Sequence, residues 1–220
     1  MTPAVSGHRG LLVTLEGGEG AGKSTLAATL ATRARDEECE VVECREPGGT
    51  ALGERLRMAL LGTTRVAAEV EAPSPEAELL VFAAARAQLV DELLHPALAR
   101  GALVVCDRFA DSTTAYQHYG RGLDAALVES VNAAATGGLT PDLTLLLDLP
   151  PAEGLARRGL AGDYVEREQL AFHERVCAGY RELAAFEPVR WLVLDGRKPP
   201  DTLAEQAWAR LAPLLPSSAT

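Results

Sequence analysis

The stretch that most constrains the fold is Leu11–Thr25, LLVTLEGGEGAGKST. Leu11–Leu15 is a short apolar run bounded by glycines, which reads as a buried strand. Gly17-Gly18-Glu19-Gly20-Ala21-Gly22-Lys23-Ser24 then matches G-x-x-x-x-G-K-[ST], the phosphate-binding loop. From Thr25 onward, Leu26 and Leu30 fall four apart among alanines, as in a helix packed on a sheet. Strand, glycine loop and helix together are the context that the pattern requires. Where side chains are absent, backbone N–H groups can curl around phosphate oxygens, and the helix N-terminus adds partial positive charge. In such a loop Lys23 reaches the β- and γ-phosphates, and the Ser24 hydroxyl ligates Mg²⁺. Gly17, Gly18, Glu19, Gly20, Ala21, Gly22, Lys23, Ser24 and Thr25 are therefore the expected triphosphate site.

Downstream, apolar runs alternate with helical patterns, the signature of a parallel sheet covered on both faces. Expected strands are Glu40–Cys44, Ala102–Cys106, Leu143–Asp148 and Arg190–Asp195. Helices are expected from about Leu52 to Leu61, from Pro75 to about Ala99 with Ser74 as cap, and over Asp124–Thr136, Pro151–Arg158, Val165–Phe186 and Asp201–Leu215. The fold class is thus α/β: a three-layer phosphate-loop nucleoside-triphosphatase (P-loop NTPase) fold, a five-stranded parallel sheet flanked by helices. At 220 residues, residues 10–216 suit one domain, with a small lid at about 157–166, a loose tail at Met1–Arg9 and another at 217–220.

Composition excludes several classes. No apolar run approaches the ~18 residues of a membrane span, and Met1–Arg9 lacks the apolar core of a signal peptide. Cys39, Cys44, Cys106 and Cys177 have no C-x-x-C spacing and read as buried, reduced thiols of a cytoplasmic protein. A net charge of −10 argues against a broad nucleic-acid surface. A mononucleotide remains compatible with it, because a few arginines in one cleft outweigh the global sign locally.

Candidate chemistry gathers at strand ends. Arg45-Glu46-Pro47-Gly48-Gly49-Thr50 follows the second strand, where open α/β sheets place ligands, although Pro-Gly-Gly also suits a plain turn. Phe82 and Arg86 share a helix face and could stack on and hydrogen-bond a nucleobase; Phe82 by itself also suits the core. Asp107 after the third strand can hold Mg²⁺ or its waters, and Arg108 can bind a phosphate bidentately. Asp111–Gly120, with Ser112, Thr113, Tyr116 and Gln117, reads as substrate-facing or as a polar surface helix, with His118 incidental. Arg157 and Arg158, beside Gly159 and Gly162, could close over transferring phosphates or sit in a solvated turn.

The motifs EGGEGAGKST, REPGGT, FAAARAQ, DRFADSTTAYQ, PDLTLLLDLP and FHERVCAGY, in this order over about Leu11 to Leu214, resemble the bacterial thymidylate kinases. The resemblance implies phosphorylation of dTMP by ATP with Mg²⁺, in a homodimer. It implies that Phe82 stacks on thymine, Arg86 donates to its O4, Arg108 with Arg57 clamps the monophosphate, and Glu46 and Asp107 organise Mg²⁺ and waters. Thr113 and Gln117 would complete the base and sugar contacts, Ser112 would join the substrate contacts, and Tyr116 would crowd the 2′ side of the sugar. Glu16–Lys23 contains no arginine, so the resemblance assigns the catalytic arginine to the lid, as Arg157 or Arg158. Phe109 stands where the family often has Tyr, Thr113 where many relatives have Ser, and Asp163-Tyr164 where an Asp-Arg pair is frequent.

Two rival readings keep the phosphate loop. One is a kinase for another nucleoside monophosphate, against which Phe82, Arg86 and Tyr116 speak. The other is a nucleotide-binding switch, which needs a base-reading N/T-K-x-D-like element that the chain lacks.

Overall fold

The computed structural model describes residues 10–61, 73–158 and 164–215. The expected tails (1–9 and 217–220), Gly159–Asp163 of the lid and the Arg158 side chain lie outside the described residues.

Five strands form one parallel sheet: β1 (Leu11–Glu16), β2 (Val41–Arg45), β3 (Leu103–Asp107), β4 (Leu143–Asp148) and β5 (Trp191–Asp195), in the order β2-β3-β1-β4-β5. Both faces are covered, which is why β1, β3 and β4 read as nearly continuous apolar runs rather than alternating ones. Against one face, α1 (Lys23–Asp36) and α9 (Pro200–Leu211) press Leu26, Leu30, Leu203 and Trp208 onto Val13, Leu15, Leu145 and Leu194. Against the other, α3 (Pro75–Leu89), a π turn (Val90–Leu94) and α4 (His95–Ala99) bury Leu89, Leu94 and Leu98 against Leu12, Val104 and Cys106. Next to them, α8 (Leu170–Phe186) packs Phe172, Val176 and Tyr180 against Ala115, Tyr116 and Leu146. That second face also holds a polar chain. The Thr14 and Thr144 hydroxyls lie 3.0 Å apart, and Arg190 donates to Thr144 Oγ1 (2.7 Å) and to Asp111 Oδ2 (2.6 Å).

The remaining α-helices among the described residues are α2 (Ala51–Leu61), α5 (Ala110–Thr113), α6 (Ala125–Thr136) and α7 (Pro151–Arg158). Ser74 Oγ caps α3 by accepting from Ala77 N (3.2 Å), as its sequence implies. The helix expected to reach Ala99 does so only through the π turn. Pro96 has no N–H to give the carbonyl of Glu92, so hydrogen bonding there slips to five residues, with His95 N donating to Val90 O. A second π segment, Thr114–Gly120, follows α5. The helix expected to start at Val165 instead starts at Leu170, after a turn in which Glu168 N bonds Val165 O. The four cysteines are unpaired thiols; Cys106 and Cys177 are buried, while Cys39 and Cys44 are only half-buried.

α3 has two distinct faces. Glu78, Phe82 and Arg86, four residues apart, turn one way, and Glu78 and Arg86 are buried. Ala77, Leu80, Ala84 and Ala87 form an exposed stripe on the opposite side. α2 and α6 pack beside α3 and add Leu52, Met58 and Leu127 to the exposed apolar side chains.

Candidate active site

The carboxyl ends of β1, β2 and β3 open into a cleft of about 500 Å³, the position expected for a ligand in an open α/β sheet. On one wall lies the phosphate loop. Gly20 (φ +66°) occupies a conformation that side chains resist, and it packs backbone to backbone on α7: a Cβ on Gly20 would sit 2.1 Å from Gly154 O, and one on Gly154 would sit 2.0 Å from Glu19 O. Lys23 is buried and donates from Nζ to Gly17 O (3.0 Å) and Gly18 O (2.8 Å). Burial, then the nearby Arg108 charge, lowers its ammonium to about 8. Gly17 and Gly18 thus serve the site through the lysine, whereas Glu19 through Thr25 line the cleft directly. Ser24 Oγ donates to Asp107 Oδ2 at 2.6 Å, joining the start of α1 to the end of β3.

Arg108 sits at the floor in the left-handed region (φ +73°), a strained position for a side-chain-bearing residue. Its Nη2 meets Glu19 Oε1 at 2.6 Å, while Nη1 donates to Tyr180 Oη (3.2 Å) and Ser112 Oγ (3.3 Å). The guanidinium lies 5.0 Å over the Tyr116 ring, and the Tyr116 hydroxyl donates to Glu19 Oε1 at 2.9 Å. Beneath this cluster Glu16, 0% exposed, accepts from Ser112 Oγ (2.6 Å), Phe109 N (2.9 Å) and Tyr180 Oη (2.9 Å). Burial, assisted by Asp111, pushes its carboxyl up to about 7. Glu16 and Tyr180 carry no role in the sequence reading. The signal for Glu16 was an acidic residue closing a strand buried along its length, which demands partners.

The opposite end is built on α3. Arg86, 2% exposed, donates to Glu46 Oε1 and Oε2, to Asn132 Oδ1 (2.7 Å), to Phe109 O (3.2 Å) and to Thr113 Oγ1 (2.8 Å). The sequence reading set Glu46 beside Asp107 to organise a metal. In the structure its carboxylate is paired with Arg86, as a buried acid needs a hydrogen-bonded cation. Burial raises the Glu46 carboxyl and Arg86 pulls it back down. Phe82, Arg57, Ser112, Thr113, Tyr116 and Gln117 all line the same cleft. Arg57 Nη1 donates to Pro47 O (3.0 Å), and Gln117 Nε2 to Glu78 Oε1 (2.7 Å). Arg157 also lines the cleft and donates to Gly196 O (3.1 Å).

Among the described residues no group of three or more His, Cys, Asp or Glu could hold a metal ion. The paired hydroxyl and carboxylate of Ser24 and Asp107 are hard oxygen donors of the kind Mg²⁺ uses with substrate phosphates and water. No described helix is long and apolar enough to cross a membrane.

Comparison with known proteins gives one consistent picture. The family model described as thymidylate kinase matches residues 15–207. Over 93% of its length the chain is 50% identical to the thymidylate kinase of Deinococcus radiodurans, covering 97% of that protein. It is likewise 50% identical to that of Synechococcus sp. strain JA-2-3B'a(2-13), over 94% of this chain and 96% of the relative. The crystal structure of thymidylate kinase from Ehrlichia chaffeensis superposes with a TM-score of 0.75 at 28% identity, covering 92% of this chain and 99% of the other.

Proposed function

Since the chain belongs to the thymidylate kinase family, whose members are phosphotransferases, we propose how its cleft carries the γ-phosphoryl group of ATP to dTMP, giving dTDP and ADP. The observation that carries the reading is that one cleft joins a phosphate loop to a buried arginine and an aromatic ring, with Arg108 between them. ATP phosphates lie along Glu19–Thr25, where Lys23 exchanges its two loop carbonyls for phosphate oxygens. Ser24 and Asp107 would hold Mg²⁺ and its waters, and the ion would supply charge neutralisation for the transferring group. Thymine stacks on Phe82. Arg86 uses one Nη1 hydrogen on Asn132, which leaves the second for the thymine O4 carbonyl.

Cytosine carries an amine where thymine has O4, and two facing donors leave one buried and unpaired, at about 1–3 kcal/mol. Arg108 and Arg57 hold the acceptor phosphate with Ser112 beside Arg108, Thr113 and Gln117 complete the base and sugar contacts, and the Tyr116 ring crowds C2′ of the sugar. The attacking phosphate oxygen is already anionic, so the residues position and neutralise rather than remove a proton. Arg157 and Arg158 supply lid charge for the transition state.

The working unit is a single domain over residues 10–216 with its lid at 157–166, cytoplasmic and homodimeric. Supporting the dimer is the apolar face of α2, α3 and α6, whose stripe of small residues lets a second copy approach closely.

The test is coupled ADP release with ATP, Mg²⁺ and each of dTMP, dUMP, dCMP, dGMP and UMP. Fast turnover of dTMP, weaker turnover of dUMP and little with the others is the expected result. Turnover led by another monophosphate overturns Phe82 and Arg86 as thymine selectors, and none at all overturns the kinase reading.

A further inference from the structure

We propose that Glu78 is a specificity-determining positioning residue, which fixes the Gln117 amide so that the base end of the cleft offers an acceptor to pyrimidines bearing a proton on N3. The inference rests on the base-contact reading of Gln117 given above. Glu78 lies in the first turn of α3 and is 1% exposed. Every neighbour given to its carboxylate is a donor. Gln117 Nε2 reaches Oε1 at 2.7 Å, Arg121 reaches Oε1 through Nε (3.2 Å) and Oε2 through Nη2 (3.0 Å), and the Tyr164 hydroxyl reaches Oε2 at 2.7 Å. Arg121 is held in turn by Glu168.

An ion-paired carboxylate has no hydrogen to give. A buried Gln117 facing it must therefore turn its NH₂ end that way, since the reverse orientation would set oxygen against oxygen. The two ends of an amide point apart, so Oε1 is the end left for a ligand in the cleft that Gln117 lines. Arg86, a pure donor, lines the same cleft. A donor beside an acceptor complements the adjacent C4 carbonyl and N3–H of thymine or uracil. Cytosine presents an amine and a bare N3, so both contacts set like against like. Without Glu78 the amide is able to turn over, and Gln117 can then donate to the bare N3. Discrimination at N3 thus belongs to a residue on α3 that touches no substrate.

The test measures kcat and KM for dTMP and dCMP at saturating ATP in the wild type, Glu78→Leu, Gln117→Leu and the double variant. Glu78→Leu is expected to raise KM for dTMP roughly tenfold, the size of one buried hydrogen bond. It should also lower KM for dCMP and leave KM for ATP unchanged, so the dTMP:dCMP ratio of kcat/KM falls tenfold or more. In the Gln117→Leu background the same change should leave that ratio where it is. General loosening of the fold would lower both activities together and would not move the ratio. Should Glu78→Leu fail to fold with Arg121 left behind, Glu78→Leu with Arg121→Met removes the pair as a unit and supports the same comparison. An unchanged ratio in a folded Glu78 variant, with Gln117→Leu altering it, overturns this proposal alone. A Gln117→Leu enzyme with wild-type KM for dTMP overturns the base-contact reading on which it rests.

Discussion

Beside its proposed contact with the base, Arg86 has a structural task that was not visible in its spacing from Phe82. Its pairing with Glu46 and its bonds to Asn132, Phe109 O and Thr113 tie α3 to the ends of β2 and β3 and to α6. Truncating it abandons a buried carboxylate, so Arg86→Ala should cost about 3–5 kcal/mol in urea unfolding as well as raising KM for dTMP more than KM for ATP. A fully stable Arg86→Ala protein would contradict the pairing. Glu16 titrates in a way that stability can report. Its carboxyl is at about 7 in the fold against an ordinary 4.5, so the native state binds the extra proton. Its contribution is complete below pH ~4.5 and is lost as pH rises through 7, roughly 3 kcal/mol in all. The stability of the wild type relative to Glu16→Gln should therefore fall across that window; a flat difference would contradict it. The chemistry-bearing residue types were legible because Lys, Asp and Arg at strand ends have few other uses. Their partners were not, because Glu16, Glu46 and Asn132 meet Ser112, Arg86 and Thr114 only through tertiary packing.

At the level of elements, strands and helices followed their sequence patterns closely, since a sheet covered on both faces leaves long apolar runs that are hard to misread. Departures came where periodicity carries no information. Both π segments keep helical spacing and differ only in which carbonyl each N–H reaches, and residues 165–169 look helical in composition but turn instead. The contact between the phosphate loop and α7 was also missed, although an isolated glycine within a helical pattern is a packing signal. Gly154→Ala should displace the Glu19–Gly20 backbone and lower kcat/KM for ATP by roughly ten- to hundredfold, the usual effect of an ångström-scale misplacement. Steady-state kinetics with unchanged kcat/KM for ATP would show that the loop tolerates the added methyl.

On the scale of the whole molecule, an acidic protein of net charge −10 gathers Lys23, Arg57, Arg86, Arg108 and Arg157 around one cleft, so the global sign says little about the ligand. Association is the property least legible in the sequence, because an exposed alanine stripe looks like any well-formed helix surface until its neighbours are in place. Leu80, 59% exposed at the centre of that stripe, provides the check: Leu80→Asp should convert a dimer to a monomer in sedimentation velocity. A wild-type protein that already sediments as a monomer contradicts the proposed assembly. In that assembly α3 would act as a party wall, with the proposed base chamber on one side and the neighbouring subunit on the other. Alanines have no length with which to absorb a shift, so a tilt of the helix in one subunit is felt at once next door. The stiffness with which each chamber holds its base is then a property the two subunits own jointly.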